Sequence, residues 1–294
     1  MSAKKSVDDR ALNRGVLQSL VQHLEPIQAQ DPLHVLEIGA GIGTMLERLL
    51  EWKILGNTAY TAIDLQPENI AEAARRLPSW AANLGFRIQQ KAAGIFILQR
   101  PNQRLSIMLQ AIDAFDFVNR NVGLQKWDLI IAHAFWDIVD IPTMLPDLLS
   151  LLRSDGFYYF TINFDGQTIF LPEIDPSQDR EIIELYHRHM DEKTVGGHYV
   201  GGSQTGRELF EQQQLAGGQI VDAGSSDWVV FPSTDGYHED EAYFLHCIVD
   251  TIQTALQDQA PFDIQPWIEQ RHMQIDQNEL IFITHQLDFL GKKT

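Results

Sequence analysis

The segment HVLEIGAGIGT, residues 34–44, constrains this chain more than any other. Val35, Leu36 and Ile38 make a short apolar run, as in a strand buried on both faces of a parallel sheet. Gly39, Gly41 and Gly43 follow at alternate positions, and MLERLL then places Met45, Leu46, Leu49 and Leu50 at helical spacing. Strand, glycine turn and helix in that order open an α/β sheet. Glycine is needed where a backbone turns tightly and lets a ligand come close. The helix start adds unpaired N–H groups beside that ligand. A small-molecule site is therefore expected at the carboxyl end of the first strand.

The spacing is G-x-G-x-G, whereas dinucleotide loops carry G-x-G-x-x-G, and Thr44 stands where their third glycine falls. Glu37 lies two residues before Gly39. A bare structural turn needs the glycines but not this acid. The pattern Glu37-x-Gly39-x-Gly41-x-Gly43 resembles the first motif of class I S-adenosylmethionine-dependent methyltransferases. The resemblance implies a loop, Gly39-Ala40-Gly41 through Gly43, passing under the methionine part of the donor, with Glu37 organising it.

Three more segments extend the resemblance over roughly residues 30–165, in order. TAYTAIDL, Thr58–Leu65, reads as a second strand ending in Asp64, and Pro67 opens the helix after it. An acid in this place can accept from both ribose hydroxyls, although it also serves dinucleotide enzymes and helix caps. LQAIDAFDF, residues 109–117, resembles the family's segment after the third strand. There the acid that meets the adenine amino group would be Asp113, with Ala114 beside it and Asp116 as the competing acid. Leu65 or Ile112 would pack the adenine face, or the core. KWDLIIAHAFWDIVDIP, residues 126–142, reads as a fourth strand ending in Ala132 and His133, which in the family face the methyl donor. LPDLLSLL then reads as a helix, Asp155-Gly156 as its stop and 157–162 as a fifth strand.

The expected fold is α/β: a doubly wound, seven-stranded, mostly parallel sheet with an antiparallel last strand and helical insertions forming a lid. All 294 residues are expected to make a single domain. Residues 1–30 form its leading helical segment, with 1–8 frayed and an amphipathic helix over 9–24. On the resemblance, Arg10 or Arg14 there would meet the donor's carboxylate. Residues 31–162 form the cofactor-binding core. Within it, 86–100 suggests an added hairpin of unassigned role. Residues 163–202 form the lid insertion, with loop-like 163–175, a helix and a glycine-rich stretch. Residues 203–294 hold the last helix, capped by Ser203 or Thr205 and ended by Gly217-Gly218. Strand six follows at 219–232 with a bulge at Gly224-Ser225, then a helical insertion at about 236–278, then strand seven at 280–290.

Lysine and arginine number 22 against 40 acids, a net charge of −18. That balance argues against a nucleic-acid substrate and an anionic membrane surface. The single cysteine, Cys247, permits no internal disulfide and no cysteine zinc site, and is expected to be buried. No signal peptide or membrane span is visible, so a cytoplasmic location is expected.

The resemblance implies methyl transfer from S-adenosylmethionine, with S-adenosylhomocysteine as product, to a small-molecule oxygen, nitrogen or carbon. Positioning supplies most of such a reaction; a base helps only a protonated acceptor. His133 is the first candidate base and Asp137 follows it, each with a bland alternative in packing or capping. Trp136, His198 and Tyr199 are candidate lid residues over the acceptor, with Trp136 otherwise core. His187 and His189 are two apart on a helix, a poor spacing for chelation, and no metal is expected. The acids at 239–241 suit a helix dipole. The alternatives are a cofactor-binding module that activates a partner, and a nicotinamide-dependent oxidoreductase. Acceptor identity and oligomeric state stay open.

Overall fold

Alternate residues of β1 (Leu33–Ile38) leave on opposite faces: Leu33 and Val35 join one buried cluster, Leu36 and Ile38 another. The split recurs in β6 (Trp127–His133), where Leu129 and Ile131 oppose Ile130 and Ala132. A strand with two apolar faces requires helices on both. The computed structural model describes residues 2–28, 32–123, 127–195 and 198–294, with the side chains of 195, 198 and 199 left out. One face carries α2 (Arg14–Gln28), α3 (Thr44–Glu51) and α4 (Pro67–Asn83). The other carries α5 (Ala114–Asn121), α6 (Ile141–Ser150) and α8 (Thr205–Leu215).

The remaining strands of the sheet are β2 (Thr58–Asp64), β3 (Arg87–Ala92), β4 (Ile95–Arg100), β5 (Gln103–Ala111), β7 (Leu152–Leu171), β10 (Gly218–Ser225), β11 (Trp228–Val230) and β12 (Ile281–Lys293). Their order is β10-β12-β7-β6-β1-β2-β5-β4-β3, with β11 also on β12. The central β7-β6-β1-β2-β5 pairs are parallel, and β12 is antiparallel to both β7 and β10. The expected parallel core and antiparallel last strand are present, in a sheet of ten strands where seven were expected. The β3–β4 hairpin extends one edge, where residues 86–100 suggested it. At the other edge β10 and β11 are separate strands, because Ser226 leaves the ladder to donate its backbone N–H to Gln286. The bulge lies between Ile220 and Asp222 and not at Gly224-Ser225.

Residues 163–175 were expected to be a loop, yet 163–171 are the second half of β7. The missing partner in the sequence argument was β12, which pairs Thr168 with Thr284 and Phe170 with Phe282. Since β6 ends opposite Thr161, this arm overshoots the carboxyl edge by about 30 Å of strand. A third apolar cluster covers it, built from α1 (Lys5–Ala11), α7 (Pro176–Asp191), α9 (Glu241–Leu256) and α10 (Gln265–Asp276). Fully buried Arg271 ties the cover together: Nη2 donates to Asp179 of α7 at 2.7 Å and Nη1 to the Pro172 carbonyl at 2.8 Å.

The leading segment also differs. Residues 2–8 are not frayed: Val7 and Asp8 are buried, and Ser6 donates to buried Glu241 at 2.9 Å. Glu241 thus anchors α1 to α9, beyond any interaction with its own helix dipole. The expected helix over 9–24 breaks at Leu12–Asn13, where Asn13 Oδ1 accepts from Val16 N at 3.0 Å and starts α2. Neither Ser203 nor Thr205 caps α8. Asp165 of β7 takes that part, accepting from Arg207 N at 2.9 Å.

Candidate functional site

Gly39, Gly41 and Gly43 all adopt left-handed φ, at 65°, 55° and 84°, so the alternate spacing is a backbone requirement. Asp64, at the end of β2, holds this loop. Its Oδ2 accepts from Gly41 N at 2.8 Å, while Oδ1 accepts from Gln66 N and Asn69 Nδ2, both at 2.9 Å. One carboxylate thereby fixes the loops after β1 and β2 together, with about one lone-pair site, on Oδ2, to spare.

A cleft of about 630 Å³ opens at the carboxyl ends of these strands. Of the predicted cofactor residues, Gly39, Asp64, Leu65, Asp113 and Ala114 line it, together with Ile112. Asp113 caps α5, accepting from Asp116 N at 3.1 Å, whereas Asp116 is exposed and faces Arg120. Glu37, Ala40, Gly41, Gly43, Ala132 and His133 do not line the cleft. Sequence reasoning missed Asn69, Phe135, Ile138 and Val200, which do line it. A Cβ on Gly39 would lie 2.8 Å from the Phe135 ring, so the first glycine also makes room for an aromatic wall.

Beside the cleft is a knot of buried polar groups. Tyr60 donates to Glu37 at 2.8 Å; burial pushes the Glu37 carboxyl up to about 8 against the pull of Tyr60 and Arg48. His133 contacts Thr161 Oγ1 through Nδ1 at 2.8 Å and Asp8 through Nε2 at 3.0 Å. Burial pulls the imidazole down to about 4, with Asp8 opposing, so it is neutral at pH 7. A neutral ring has one N–H. With Asp8 as acceptor that proton sits on Nε2, and Nδ1 accepts from Thr161, which occupies both nitrogens.

Asp8 also accepts from Trp228 Nε1 at 3.0 Å. Burial opposes its ionisation, yet Lys4, His133 and Arg48 hold its carboxyl well below the usual range. Arg48 is fully buried, with Nε on Asp9 and Nη2 3.7 Å from Asp8. Nothing in the sequence pointed to Asp8, Arg48 or Trp228. Arg10 instead pairs with Glu241 and Arg14 stacks on Trp52, and neither lines the cleft.

Two non-glycine residues carry left-handed φ side by side at the sheet edge, Ala134 at 50° and Ile162 at 57°. Such backbone costs about 1–3 kcal/mol and persists where its surroundings over-determine it. Here Ala134 N donates to the Thr161 carbonyl at 2.9 Å, and Ile162 N to Asp288 at 2.8 Å. Ala134 lines the large cleft and also a second, smaller and partly open cavity of about 180 Å³ under α7 and α9. Asp137 lines this cavity with Phe164, Tyr186, Trp228 and Phe282, and burial raises its carboxyl above the ordinary value.

Trp136, a candidate lid residue, is core: fully buried, with its ring centre 4.8 Å from Phe160 and 5.6 Å from Phe135. His198 and Tyr199 form β9 (His198–Tyr199), paired with β8 (Thr194–Val195), and their side chains lie outside the described part. The chain just after them meets the site, with Val200 on the cleft and Gly201 N donating to Val139 at 2.8 Å. His187 contacts Thr168 and His189 contacts Gln259, and no metal-ligating cluster occurs among the described residues. Cys247 is half-buried, short of the full burial expected. Among the described residues no helix is long and apolar enough to cross a membrane.

No family model matches the chain, and no curated protein does. Solved structures with a similar chain path include methyltransferases. One is a putative sarcosine dimethylglycine methyltransferase from Galdieria sulphuraria (13% identity, 94% of this chain and 84% of that one, TM-score 0.44). Another is geranyl diphosphate C-methyltransferase from Streptomyces coelicolor, in complex with Mg2+, geranyl diphosphate and S-adenosyl-L-homocysteine (10% identity, 94% and 80%, TM-score 0.42). At TM-scores below 0.5 these are likenesses of chain path and nothing more.

Proposed function

We propose that this chain is a class I methyltransferase that moves the methyl group of S-adenosylmethionine to a small-molecule acceptor. The observation that carries this is the Asp64 carboxylate. It clamps a loop of three left-handed glycines and also lines a cleft that Asp113 enters from the next strand. In this reading Asp64 accepts from the ribose hydroxyls and Asp113 from the adenine amino group. Leu65 and Ile112 pack the faces of the base. The methionine part runs over Gly39 towards Ala134, with Glu37 and His133 supporting that wall from behind.

The donor supplies an activated methyl group on a sulfonium. The chain's own residues align the acceptor and exclude water, a contribution of up to about 7–11 kcal/mol for well-oriented groups. Ala134 lines both the cleft and the smaller cavity, and in this reading an acceptor in the cavity reaches a methyl group in the cleft there. His133 has no nitrogen free to take a proton, so it acts as a positioning residue that fixes Asp8 and the leading helix. Asp137, which faces the cavity with a raised carboxyl, is the base where the acceptor needs one. Residues 198–202 and helix α7 cover the cavity and cleft as the lid.

Calorimetric titration with S-adenosylmethionine, S-adenosylhomocysteine and NAD tests this function. Binding of the first two is expected. Binding of NAD alone overturns it in favour of an oxidoreductase. Donor binding with no labelled product from any metabolite fraction favours a cofactor-binding module.

A further inference from the structure

We propose that the acceptor is a small amine, held as its ammonium in the smaller cavity by Asp137 and by aromatic ring faces. This rests on the donor reading above for the transfer step, though not for the binding step. The cavity, at about 180 Å³, is smaller than the 300 Å³ or more of drug-sized sites, so its occupant is small.

Its polar groups decide the chemistry. Among the described residues the Asp137 carboxylate accepts from no side chain and bonds its own backbone N–H. Gln286 is buried and donates through Nε2 to Thr284 Oγ1 at 2.9 Å, which leaves its Oε1 without a partner. Both unpaired groups are acceptors. A buried acceptor left unmade is costly, so the fitting ligand brings more than one N–H. The hydroxyl of an alcohol or phenol brings one hydrogen, and an anion brings none and is repelled.

The rings point the same way. Phe164, Tyr186, Trp228 and Phe282 line the cavity, and aromatic faces attract cations. Trp228 already carries a cation, the Lys4 ammonium, 4.9 Å from its ring centre. Lys4 pairs with Asp8 at 3.4 Å, and Lys4 and Lys193 act on Asp137 through charge, with neither forming an ion pair with it among the described residues. The net charge of −18 also raises the local concentration of cations around the molecule.

The transfer step balances with what is present. The ammonium gives one proton to the Asp137 carboxylate and becomes a free amine. The nitrogen lone pair forms a bond to the methyl carbon as the carbon–sulfur bond breaks, and sulfur keeps that pair as a neutral thioether. The positive charge ends on the methylated nitrogen, and Asp137 releases its proton to solvent.

The test uses the full chain with benzylamine and isobutylamine as probes and benzyl alcohol and isobutanol as their neutral matches. Calorimetry is expected to show both amines binding at least about tenfold tighter than their alcohols. Asp137→Asn is expected to weaken amine binding about 10- to 100-fold with S-adenosylmethionine affinity unchanged. Gln286→Leu is expected to weaken the amines severalfold and serves if the first variant does not fold. Deuterated methyl donor is expected to label the amine nitrogen. Alcohols binding as well as amines, amine binding indifferent to both variants, or label on an alcohol oxygen overturns the proposal. Amine selectivity without S-adenosylmethionine binding overturns the donor reading and leaves the cavity's specificity standing.

Discussion

Asp8 of α1 and His133 at the end of β6 meet at 3.0 Å across 125 residues of sequence. Through this contact the leading helix is tied to the end of β6, beside the cleft. Asp8→Ala would leave the Trp228 and His133 N–H groups without their shared acceptor and Arg48 without the carboxylate 3.7 Å from its Nη2. Removing one partner of a buried charge network costs about 3–5 kcal/mol, whereas Asp8→Asn keeps one acceptor and should cost less. Denaturant unfolding measures both. A loss below about 1 kcal/mol for Asp8→Ala would show that the knot is not a structural anchor.

The same contact sets an acid limit. His133 titrates near 6.5 when unfolded and near 4 when folded. Between those values only the unfolded chain takes the proton, so stability falls as pH drops from 6.5 to 4, by up to about 1.4 kcal/mol per unit. Asp8 works in the same direction lower down, since its depressed folded value keeps its contribution until pH falls below the ordinary carboxylate range. Glu37 and Asp288, whose carboxyls burial raises to about 8 and about 6, act in the opposite sense over this range, so the His133 slope is read as the difference between the native chain and His133→Gln in thermal unfolding across pH 4–7. The native chain should lose stability relative to His133→Gln as pH falls from 6.5 to 4, and a constant difference between the two would refute the assignment.

Glu37 sets the opposite limit. Burial raises its carboxyl from 4.5 to about 8, so the folded chain holds this proton where the unfolded chain has lost it. That contribution is complete below pH 4.5 and is lost as pH rises to 8. Glu37→Gln keeps an acceptor for Tyr60 and has no proton to lose. Its melting temperature should match the native one near pH 4.5 and exceed it increasingly up to pH 8, by several degrees. A constant difference across that range would mean that Glu37 is ionised in the folded chain.

Asp64→Ala should weaken S-adenosylmethionine binding by at least about 100-fold, because it removes the proposed ribose acceptor together with the partner of Gly41 N, Gln66 N and Asn69. Asp116→Ala, on the exposed acid beside Asp113, should leave it unchanged. Calorimetry on folded variants separates the two. Near-native affinity in Asp64→Ala would remove the ribose role.

The cleft proposed for the donor was legible because its requirements are local. Alternate glycines, an acid closing β2 and an acid capping α5 are each set by a few adjacent residues, and the structure brings Gly39, Asp64 and Asp113 to one cleft. The second half of β7 was not legible, since its partner β12 lies more than 100 residues on and Gly166, at φ 73°, interrupts its pattern. Arg48 was hidden for a related reason. A charged residue in MLERLL reads as a solvated helix face until α1 brings Asp8 and Asp9 across it. Trp136 followed the strand-four motif towards the site, yet Phe135 and Phe160 close around it.

Gly39 and Gly85 separate the two costs of replacing a loop glycine. Both hold left-handed backbone, at φ 65° and 79°. A Cβ at Gly85 meets nothing within 4 Å, so Gly85→Ala should cost only the backbone term, about 1–2 kcal/mol. A Cβ at Gly39 would press the Phe135 ring at 2.8 Å, and overpacking adds about 1–3 kcal/mol more. Gly39→Ala should therefore be the more destabilising by that margin and should also weaken donor binding. Adding Phe135→Leu relieves the contact without changing the backbone angle. If the aromatic wall is the second cost, the double variant recovers part of the stability lost in Gly39→Ala; equal losses at Gly39 and Gly85 would mean that Phe135 moves aside freely.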